Sequence, residues 1–184
     1  MNREGKLLIA HPRCPEDSYF HKSVIYLYQD HPKIGSIGLM LNKPSTITLK
    51  NLSEEQLHHY ENINVPVFHG GPVNQQALVL LHSDEWTSTN SSHVGPGLMI
   101  SSDEQMIKRL SYGDEPKLWR IFGGFCGWQP RQLDLELAGT YPFKAENSWL
   151  LVNPTTDLIF KYTGNNQWKT AVDLSSQQLF EQYF

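Results

Sequence analysis

The amino-acid sequence predicts an α+β fold: a single compact domain of short, mostly antiparallel or mixed strands with a few short helices inserted among them. Strand-like runs are bounded by Gly, Pro, Asn or Asp. The helical segments interrupt them irregularly, without the steady alternation of a doubly wound sheet. The 184 residues, 39% of them apolar, suffice for one core. No repeat or linker divides the chain, so we expect one domain over residues 1–184.

Eight segments are predicted as strands because they are short and rich in Val, Ile, Leu and Tyr. They cover residues 6–10, 23–28, 36–41, 65–68, 78–81, 98–100, 119–125 and 149–152. The pattern leaves the order of the strands in the sheet open.

Four segments are predicted as helices. Two open with a capping box, a hydroxyl residue followed three residues later by glutamine. These pairs are Ser53 with Gln56 and Ser102 with Gln105. Pro130 suits the first position of a third helix, because that position needs no backbone N–H. The last helix is predicted over residues 176–183.

Charge is distributed unevenly along the chain. The formal net charge is −4, and residues 51–107 contain no Lys or Arg but seven acids and five of the eight histidines. Nucleic-acid backbones are bound by clustered Lys and Arg, which release counterions. Outside this stretch only Lys108 and Arg109 are adjacent cations. We therefore do not expect nucleic acid as a direct ligand.

The first residues and the cysteines bear on the location of the protein. The apolar run at residues 7–10 is shorter than the roughly 7–15 residues of a secretory signal, and no run approaches the about 20 residues of a membrane span. The two cysteines, Cys14 and Cys126, do not form the dense pattern of a secreted disulfide scaffold. We predict a cytoplasmic protein with reduced thiols, without a cofactor and without contact with a membrane.

Four features are candidates for a functional site. The first is the end of a predicted strand at Asn42, Lys43 and Pro44. Asn42 and Lys43 could face a ligand pocket. The alternative is turn chemistry alone, because Asn bonds its own backbone in turns and Pro keeps the preceding residue extended.

The second feature is the corner at His69, Gly70, Gly71 and Pro72, followed by a strand that reaches His82. Two glycines let backbone amides approach another group closely. The corner lacks the Lys and the Ser or Thr of a phosphate loop. His69 and His82 flank the corner and could face one another in a catalytic or metal-binding role, although histidines also serve many non-catalytic purposes.

The third feature, residues 123–136, is predicted to pass from a strand through a Gly-rich turn into a helix. Such a junction directs helix N-terminal amides at a ligand, and Arg131 would add positive charge. Cys126 stands where a nucleophile elbow has serine, but the spacing is one residue short. Tight packing around the turn is the alternative. The candidate residues here are Cys126, Gly127, Trp128, Gln132 and Glu136.

The fourth feature is the set of histidines in the cation-free stretch. His58 and His59 are sequential, so on a helix they point about 100° apart and cannot readily share a metal ion. The other histidines of this stretch are ten or more residues apart, whereas zinc sites usually contain close pairs. We predict no metal site from the sequence.

Taken in order, these segments resemble the AlgH/YqgE family of bacterial proteins. The opening GKLLIAHP, residues 5–12, matches the family's Gly-x-Leu-Leu-Ile-Ala-x-Pro start. The resemblance continues through residues 17–25, 38–44, 70–73, 78–82 and 127–136, and covers roughly residues 5–174. It implies a compact α+β fold without established enzymatic chemistry or agreed catalytic residues. One branch of the family is named for a suggested role in transcriptional regulation of alginate synthesis.

Two functions follow as hypotheses. The first is a non-enzymatic protein that binds a protein or small-molecule partner and has a regulatory effect. The second is an enzyme or small-molecule-binding protein whose site forms where the turns at residues 70–71 and 124–128 meet. The polar residues expected beside that site are Asn42, His69, His82, Gln132 and Glu136.

Overall fold

The structure, a computed structural model, describes residues 3–52, 64–139 and 149–183. The described strands are β1 (Leu7–Ala10), β2 (Val24–His31), β3 (Gly35–Met40), β4 (Pro44–Thr48), β5 (Pro66–His69), β6 (Val73–Ser83), β7 (Ser91–Gly95), β8 (Leu98–Ser101), β9 (Trp119–Trp128) and β10 (Trp149–Val152). A 3₁₀ turn (Leu49–Leu52) follows β4. The described α-helices are α1 (Glu104–Ser111), α2 (Gln132–Ala138), α3 (Thr156–Phe160) and α4 (Gly164–Tyr183).

The strands form one sheet in the order β10-β1-β2-β3-β9-β6-β8-β7. Every neighbouring pair along this path is antiparallel. β5 lies off the path and pairs in parallel with β9 and antiparallel with β4. The α+β prediction is therefore confirmed in its coarse form, with the sheet as the dominant element.

Both faces of the sheet are buried, which explains why β1 is apolar at every position. Leu7 and Ile9 belong to a cluster that also takes in Leu158, Ile159 and Ala171 of α3 and α4. Leu8 and Ala10 point to the other face because side chains alternate along a strand. There they pack with Trp128, Leu133 and Trp149 beside α2. A third cluster, around Leu80, Met106, Leu110 and Ile121, covers the β6–β9 pair with α1.

The sheet curls so that its edge strand β7 lies against β2. The hydroxyl of Tyr26 in β2 donates to the carbonyl oxygen of Val94 in β7 at 2.7 Å. Gly95 permits this approach, because a Cβ at that position would lie 2.3 Å from the same hydroxyl oxygen. We call the contact between β7 and the β1–β2 pair the seam.

Helix starts differ from the sequence prediction. Asp103, not Ser102, caps α1, and its carboxylate accepts the backbone N–H of Met106 at 2.9 Å. Helix α2 begins at Gln132 rather than Pro130, because the intervening Arg131 has a left-handed φ of 68°. The helix predicted from Ser53, with His58 and His59, lies outside the described residues.

Helix α4 spans 20 residues and starts well before the predicted residue 176. Trp168, Ala171 and Val172 in its first half fall at i, i+3 and i+4, an apolar spacing that the prediction did not use, and they pack in or against the large core cluster. The short elements β4, β7 and α3 were missed as well. None of the helices that the structure describes combines the length and the apolar surface needed for a membrane crossing.

Candidate functional site

The two glycine-rich segments meet, and they meet backbone to backbone. The amide of Gly70 donates to the carbonyl oxygen of Gly123 at 2.9 Å. A Cβ on Gly70 would lie 2.1 Å from the carbonyl oxygen of Gly124, and one on Gly71 would lie 2.1 Å from the carbonyl carbon of Phe125. We call residues 70–71 together with 123–126 the glycine junction. The closeness of the two backbones leaves no space between them for a ligand.

β9 runs without a break through the glycines at which the sequence predicts a turn, so the predicted position of the turn is wrong. The predicted order of strand, turn and helix holds, with the turn at residues 129–131 before α2. The strand exchanges partners instead: residues 122–123 pair with β5 and residues 126–128 pair with β3. Gly124, between the two pairings, has a φ of +73°, a region that glycine enters at no steric cost. These glycines therefore serve the change of partner strand.

Cys126 lies inside the glycine junction. Its side chain is 1% exposed, and its Sγ lies 3.4 Å from the carbonyl oxygen of Gly70. Burial raises the pKa of the thiol, so it stays protonated at neutral pH. The structure thus gives this thiol the environment of a packing residue rather than of a nucleophile. Cys14 is also free and buried.

His69 and His82 do not face one another. His69 pairs with Gly123 across one edge of β9, while His82 pairs with Trp119 across the other edge. His82 is fully buried, its Nδ1 lies 2.9 Å from the carbonyl oxygen of Ser83, and its Nε2 accepts from a serine hydroxyl at 2.8 Å. Burial lowers the pKa of His82, which keeps the ring neutral. His69 is exposed.

Asn42 is buried, and its amide is fully used. Oδ1 accepts the backbone N–H of Val24 at 2.9 Å. Nδ2 donates to the carbonyl oxygens of Lys22 and Gly164 at 2.7 and 3.1 Å. Asn42 thus ties the start of β2 to the start of α4. Its side-chain bonds reach distant segments, whereas the turn alternative expected a bond to its own backbone. The ammonium of Lys43 donates to the carbonyl oxygen of His21 at 2.7 Å.

Glu136 holds α2 against the sheet. Its Oε2 accepts the indole N–H groups of Trp128 and Trp149 at 2.9 and 2.8 Å, and its Oε1 accepts from Gln132 at 2.8 Å. The predicted shared face of Gln132 and Glu136 is confirmed by this last bond. The carboxylate is buried and held by three neutral donors, an arrangement that pins a helix.

Arg120 is a buried cation that the sequence-based prediction did not single out. Its guanidinium lies 4.6 Å from the ring centre of Phe68. It donates to the carbonyl oxygens of Leu41, Phe160 and Tyr162 and to the side chain of Gln167. Burial lowers the pKa of Arg120 to about 10, which leaves it charged at neutral pH. The sequence did contain a signal for this residue, because Arg120 is the one charged residue of β9.

The seam of the sheet opens into a cleft of about 820 Å³, within the usual range for small-molecule sites. Its deep side is formed by Leu98 and Ile159, which belong to the large core cluster. Its polar lining comes from four separate parts of the chain: Glu4, Lys6, Tyr28, His93, Asn153 and Thr156. We call this space the seam cleft.

Several hydrogen-bond donors in the seam cleft remain unused. Burial raises the pKa of Tyr28 to about 12, so its phenol is protonated. Within the described residues neither this hydroxyl nor that of Thr156 has a hydrogen-bond partner. Lys6 donates to Asn153 Oδ1 with one of its three N–H groups. The hydroxyls of Tyr28 and Thr156 and two N–H groups of Lys6 therefore line this cleft without a described partner.

The sequence gave no signal for the seam cleft, because its residues share no motif. Residues 4–6, 26–28, 93–98 and 153–159 become neighbours only when the sheet curls. A second, shallower groove of about 240 Å³ lies beside the glycine junction. It is lined by Ile34, Ile37, Val73 and Phe125 together with Gly127 and Trp128, and we call it the apolar groove. Across the described part of the chain, no three His, Cys, Asp or Glu side chains group as metal ligands.

Comparisons with known proteins cover nearly the whole chain. The sequence model of the family DUF179, AlgH-like, matches residues 7–179. A UPF0301 protein of Shewanella loihica is 31% identical over 174 residues, which is 92% of this chain and 89% of the relative. A UPF0301 protein of Vibrio cholerae is 32% identical over 179 residues, covering 94% and 91% of the two chains.

Two solved structures share the fold. The solution structure of the AlgH protein from Pseudomonas aeruginosa matches with a TM-score of 0.75 and 24% identity, over 92% of this chain and 87% of that one. A crystal structure of a Corynebacterium diphtheriae protein matches with a TM-score of 0.68 and 19% identity, over 93% and 86% of the two chains. At these identities the likeness concerns the fold alone.

Proposed function

This chain belongs to the AlgH-like family, and from that premise we propose that it is a regulatory binding protein that holds a small molecule in the seam cleft. The observation that carries this proposal is a contrast in how polar groups are used. Asn42, His82, Cys126 and Glu136 are buried and engaged with protein partners. Tyr28 and Thr156 line an open cleft with unused hydroxyls. Unused donors beside apolar surface are what a small polar ligand requires.

The position of the cleft supports a regulatory role. A ligand there would touch Lys6 and Tyr28 on one side of the seam, His93 on the other side, and Thr156 at the start of α3. Within the seam, Tyr26 and Val94 make the described hydrogen bond between β2 and β7. A ligand that contacts both sides would favour the closed seam over more open states in proportion to its differential affinity. Such a shift is a means of passing ligand binding on to a partner.

The proposal is tested with a thermal-shift screen of metabolites on the wild type and on Thr156→Trp, which fills the cleft from its rim. Thr89→Trp is the matched control, since Thr89 is exposed and does not line the cleft. A ligand at 100 times its Kd stabilises the protein by about 2.7 kcal/mol. We expect hits that Thr156→Trp abolishes and Thr89→Trp retains. Hits that survive in Thr156→Trp would place binding elsewhere.

A protein partner is the second candidate, and the apolar groove favours it. Ile34 is 68% exposed and Val73 40% exposed beside this groove. Apolar side chains grouped at a surface are typical of contacts with another protein. We expect Ile34→Asp to remove a specific protein from the set that co-purifies with the chain from its native host. Leu118→Asp, at a leucine that is 40% exposed and lies away from the groove, should leave that set unchanged. Identical sets with both variants would contradict this candidate.

A further inference from the structure

We propose that the seam cleft takes a small molecule that carries a carboxylate or phosphate group on a ring-sized apolar body, with Lys6 and Tyr28 holding the oxyanion. This inference rests on the proposed binding function of the same cleft. It names the chemistry of the ligand, which that function leaves open. The inference comes from the polar groups that line the cleft and from what each of them is already bonded to.

The unused polar capacity of the cleft includes several hydrogen-bond donors. Lys6 has two further N–H groups beyond the one on Asn153. The hydroxyls of Tyr28 and Thr156 have no described partner. Tyr26 does not compete for the ligand, since its hydroxyl already donates to Val94 at 2.7 Å. Ammonium and hydroxyl donors together match an oxyanion, and hydrogen bonds in which the donor or the acceptor is ionised are roughly twice as strong as neutral ones.

Glu4 is the carboxylate in the lining of the cleft, and it is held in place by the end of β2. Its Oε1 accepts the backbone N–H of Asp30 at 3.1 Å. Asp30 is in turn bound by the guanidinium of Arg3, whose Nε lies 2.8 Å away. An anion in the cleft would be repelled by Glu4 and attracted by Lys6. Replacing Glu4 with glutamine, which keeps an acceptor for the Asp30 amide, should therefore strengthen the binding of an anion.

The apolar part of the ligand would contact Leu98, Ile159 and the ring of Tyr28. Leu98 and Ile159 are 8% and 1% exposed, so they offer a firm apolar surface rather than mobile side chains. A volume of about 820 Å³ accepts a one- or two-ring body with room for water. A free inorganic anion would leave this apolar surface wet, and we therefore favour a ligand with both parts.

The test measures the binding of three probes to the full chain by NMR titration of the backbone amides. Indole-3-acetate supplies a carboxylate on a ring, indole-3-acetamide is its neutral counterpart, and phenyl phosphate supplies a phosphate. We expect at least one anionic probe to bind about tenfold more tightly than the acetamide, the scale of one charge-assisted hydrogen bond. Which of the two anions binds better identifies the oxyanion. Lys6→Met should remove the preference and leave the weak binding of the acetamide unchanged, while Glu4→Gln should increase affinity for the anion a few-fold.

Lys33→Met is the matched control, because it removes the same charge from an exposed turn away from the cleft. Equal affinity for the anions and the acetamide, with shifts at the cleft, would overturn the oxyanion assignment and leave the binding function standing. An equal loss of anion binding in Lys33→Met and Lys6→Met would also overturn it, since net charge alone would then explain the effect. Absence of any shift at the cleft with all three probes, together with a screen without hits, would count against the binding function itself.

Discussion

The glycine junction and the seam cleft are built in opposite ways. The junction gathers residues that look chemical in the sequence, a cysteine between glycines beside a second pair of glycines, and it presses their backbones together at Gly70 and Gly124. The cleft gathers ordinary residues from four distant segments and leaves several of their hydrogen-bonding groups, such as the hydroxyls of Tyr28 and Thr156, without a described partner. Local glycine patterns in this protein therefore mark backbone contact, whereas its ligand-sized space arises only from the curl of the sheet.

The largest effect is expected when the junction is forced apart. Gly70→Ala places a Cβ 2.1 Å from the carbonyl oxygen of Gly124, and two backbones cannot easily move away from each other. We expect a loss of about 4 kcal/mol or more in the free energy of unfolding, at the upper end for single substitutions. Urea denaturation measures this loss; a variant that does not fold at all would agree with the same expectation.

Gly127→Ala is the matched control for this prediction. A Cβ there meets its nearest atom, in the side chain of Val73, at 3.7 Å, which is ordinary contact. We expect a change within about 0.5 kcal/mol. Equal stabilities for Gly70→Ala and Gly127→Ala would mean that the junction is open enough to admit a ligand. The contrast between a closed glycine junction and an open seam cleft would then be wrong.

A somewhat smaller loss is expected at the clamp that joins α2 to the sheet. Glu136→Ala leaves the indole N–H groups of Trp128 and Trp149 buried without their described acceptor. Each unsatisfied buried donor costs about 1–3 kcal/mol, so we expect a destabilisation of about 3 kcal/mol. Tryptophan fluorescence during unfolding reports it, with exposed Glu181→Ala as the control. A catalytic rather than structural Glu136 would show the reverse, unchanged stability with lost function.

A pH-dependent effect is expected beside the cleft, where Asp30 anchors Arg3 and its backbone N–H binds Glu4 of the cleft lining. Burial alone would raise the pKa of Asp30, but hydrogen bonds from Arg3 and Ser36 outweigh burial and lower it. A carboxylate whose pKa is lower in the folded than in the unfolded state stabilises the fold above the unfolded pKa, and that stability is lost as the pH falls through the folded value. Asp30→Asn should therefore cost about 1–2 kcal/mol at pH 6–8.

The difference between the variant and the wild type should shrink as the pH falls below about 4, the value for an unfolded aspartate. It should be smallest below the lowered pKa of Asp30 in the folded protein, where both side chains are neutral. Denaturation at a series of pH values measures the difference. A difference in the free energy of unfolding that stays constant down to pH 2 would show that the charge of Asp30 does not stabilise the fold.

The smallest effect is expected for thiol reagents. Cys126 is 1% exposed and Cys14 is 8% exposed, and burial raises the pKa of the Cys126 thiol. Native protein treated with iodoacetamide at pH 8 should remain unmodified at Cys126 over a time in which the urea-unfolded chain reacts fully. Mass spectrometry measures the modification. Rapid labelling of native Cys126 would reopen the nucleophile hypothesis for the junction.

Much of the sheet could be predicted from the sequence, because strands such as β1 and β10 are apolar runs between turn residues. The family was recognisable for a similar reason, since the order of its motifs survives in the chain. β7 was missed because it is short and polar, and α3 because it has only 5 residues; both are stabilised by their neighbours rather than by propensity. The candidate pocket grouped residues by proximity in sequence, yet His69 and His82 lie on opposite edges of β9. Curl of the sheet is a tertiary property, so Tyr28 and Thr156 could not be brought together by local pattern.

The most direct test of whether the seam cleft, rather than the glycine junction, binds the ligand is a backbone chemical-shift map. The map is recorded while the chain is titrated with its strongest binder from the thermal-shift screen. If the ligand binds in the seam cleft, chemical-shift changes will concentrate at the amides of Lys6, Tyr28, His93 and Thr156. The amides of Gly70, Gly71 and Cys126 will not shift. Shifts concentrated at the glycine junction, with the seam cleft silent, would contradict this prediction.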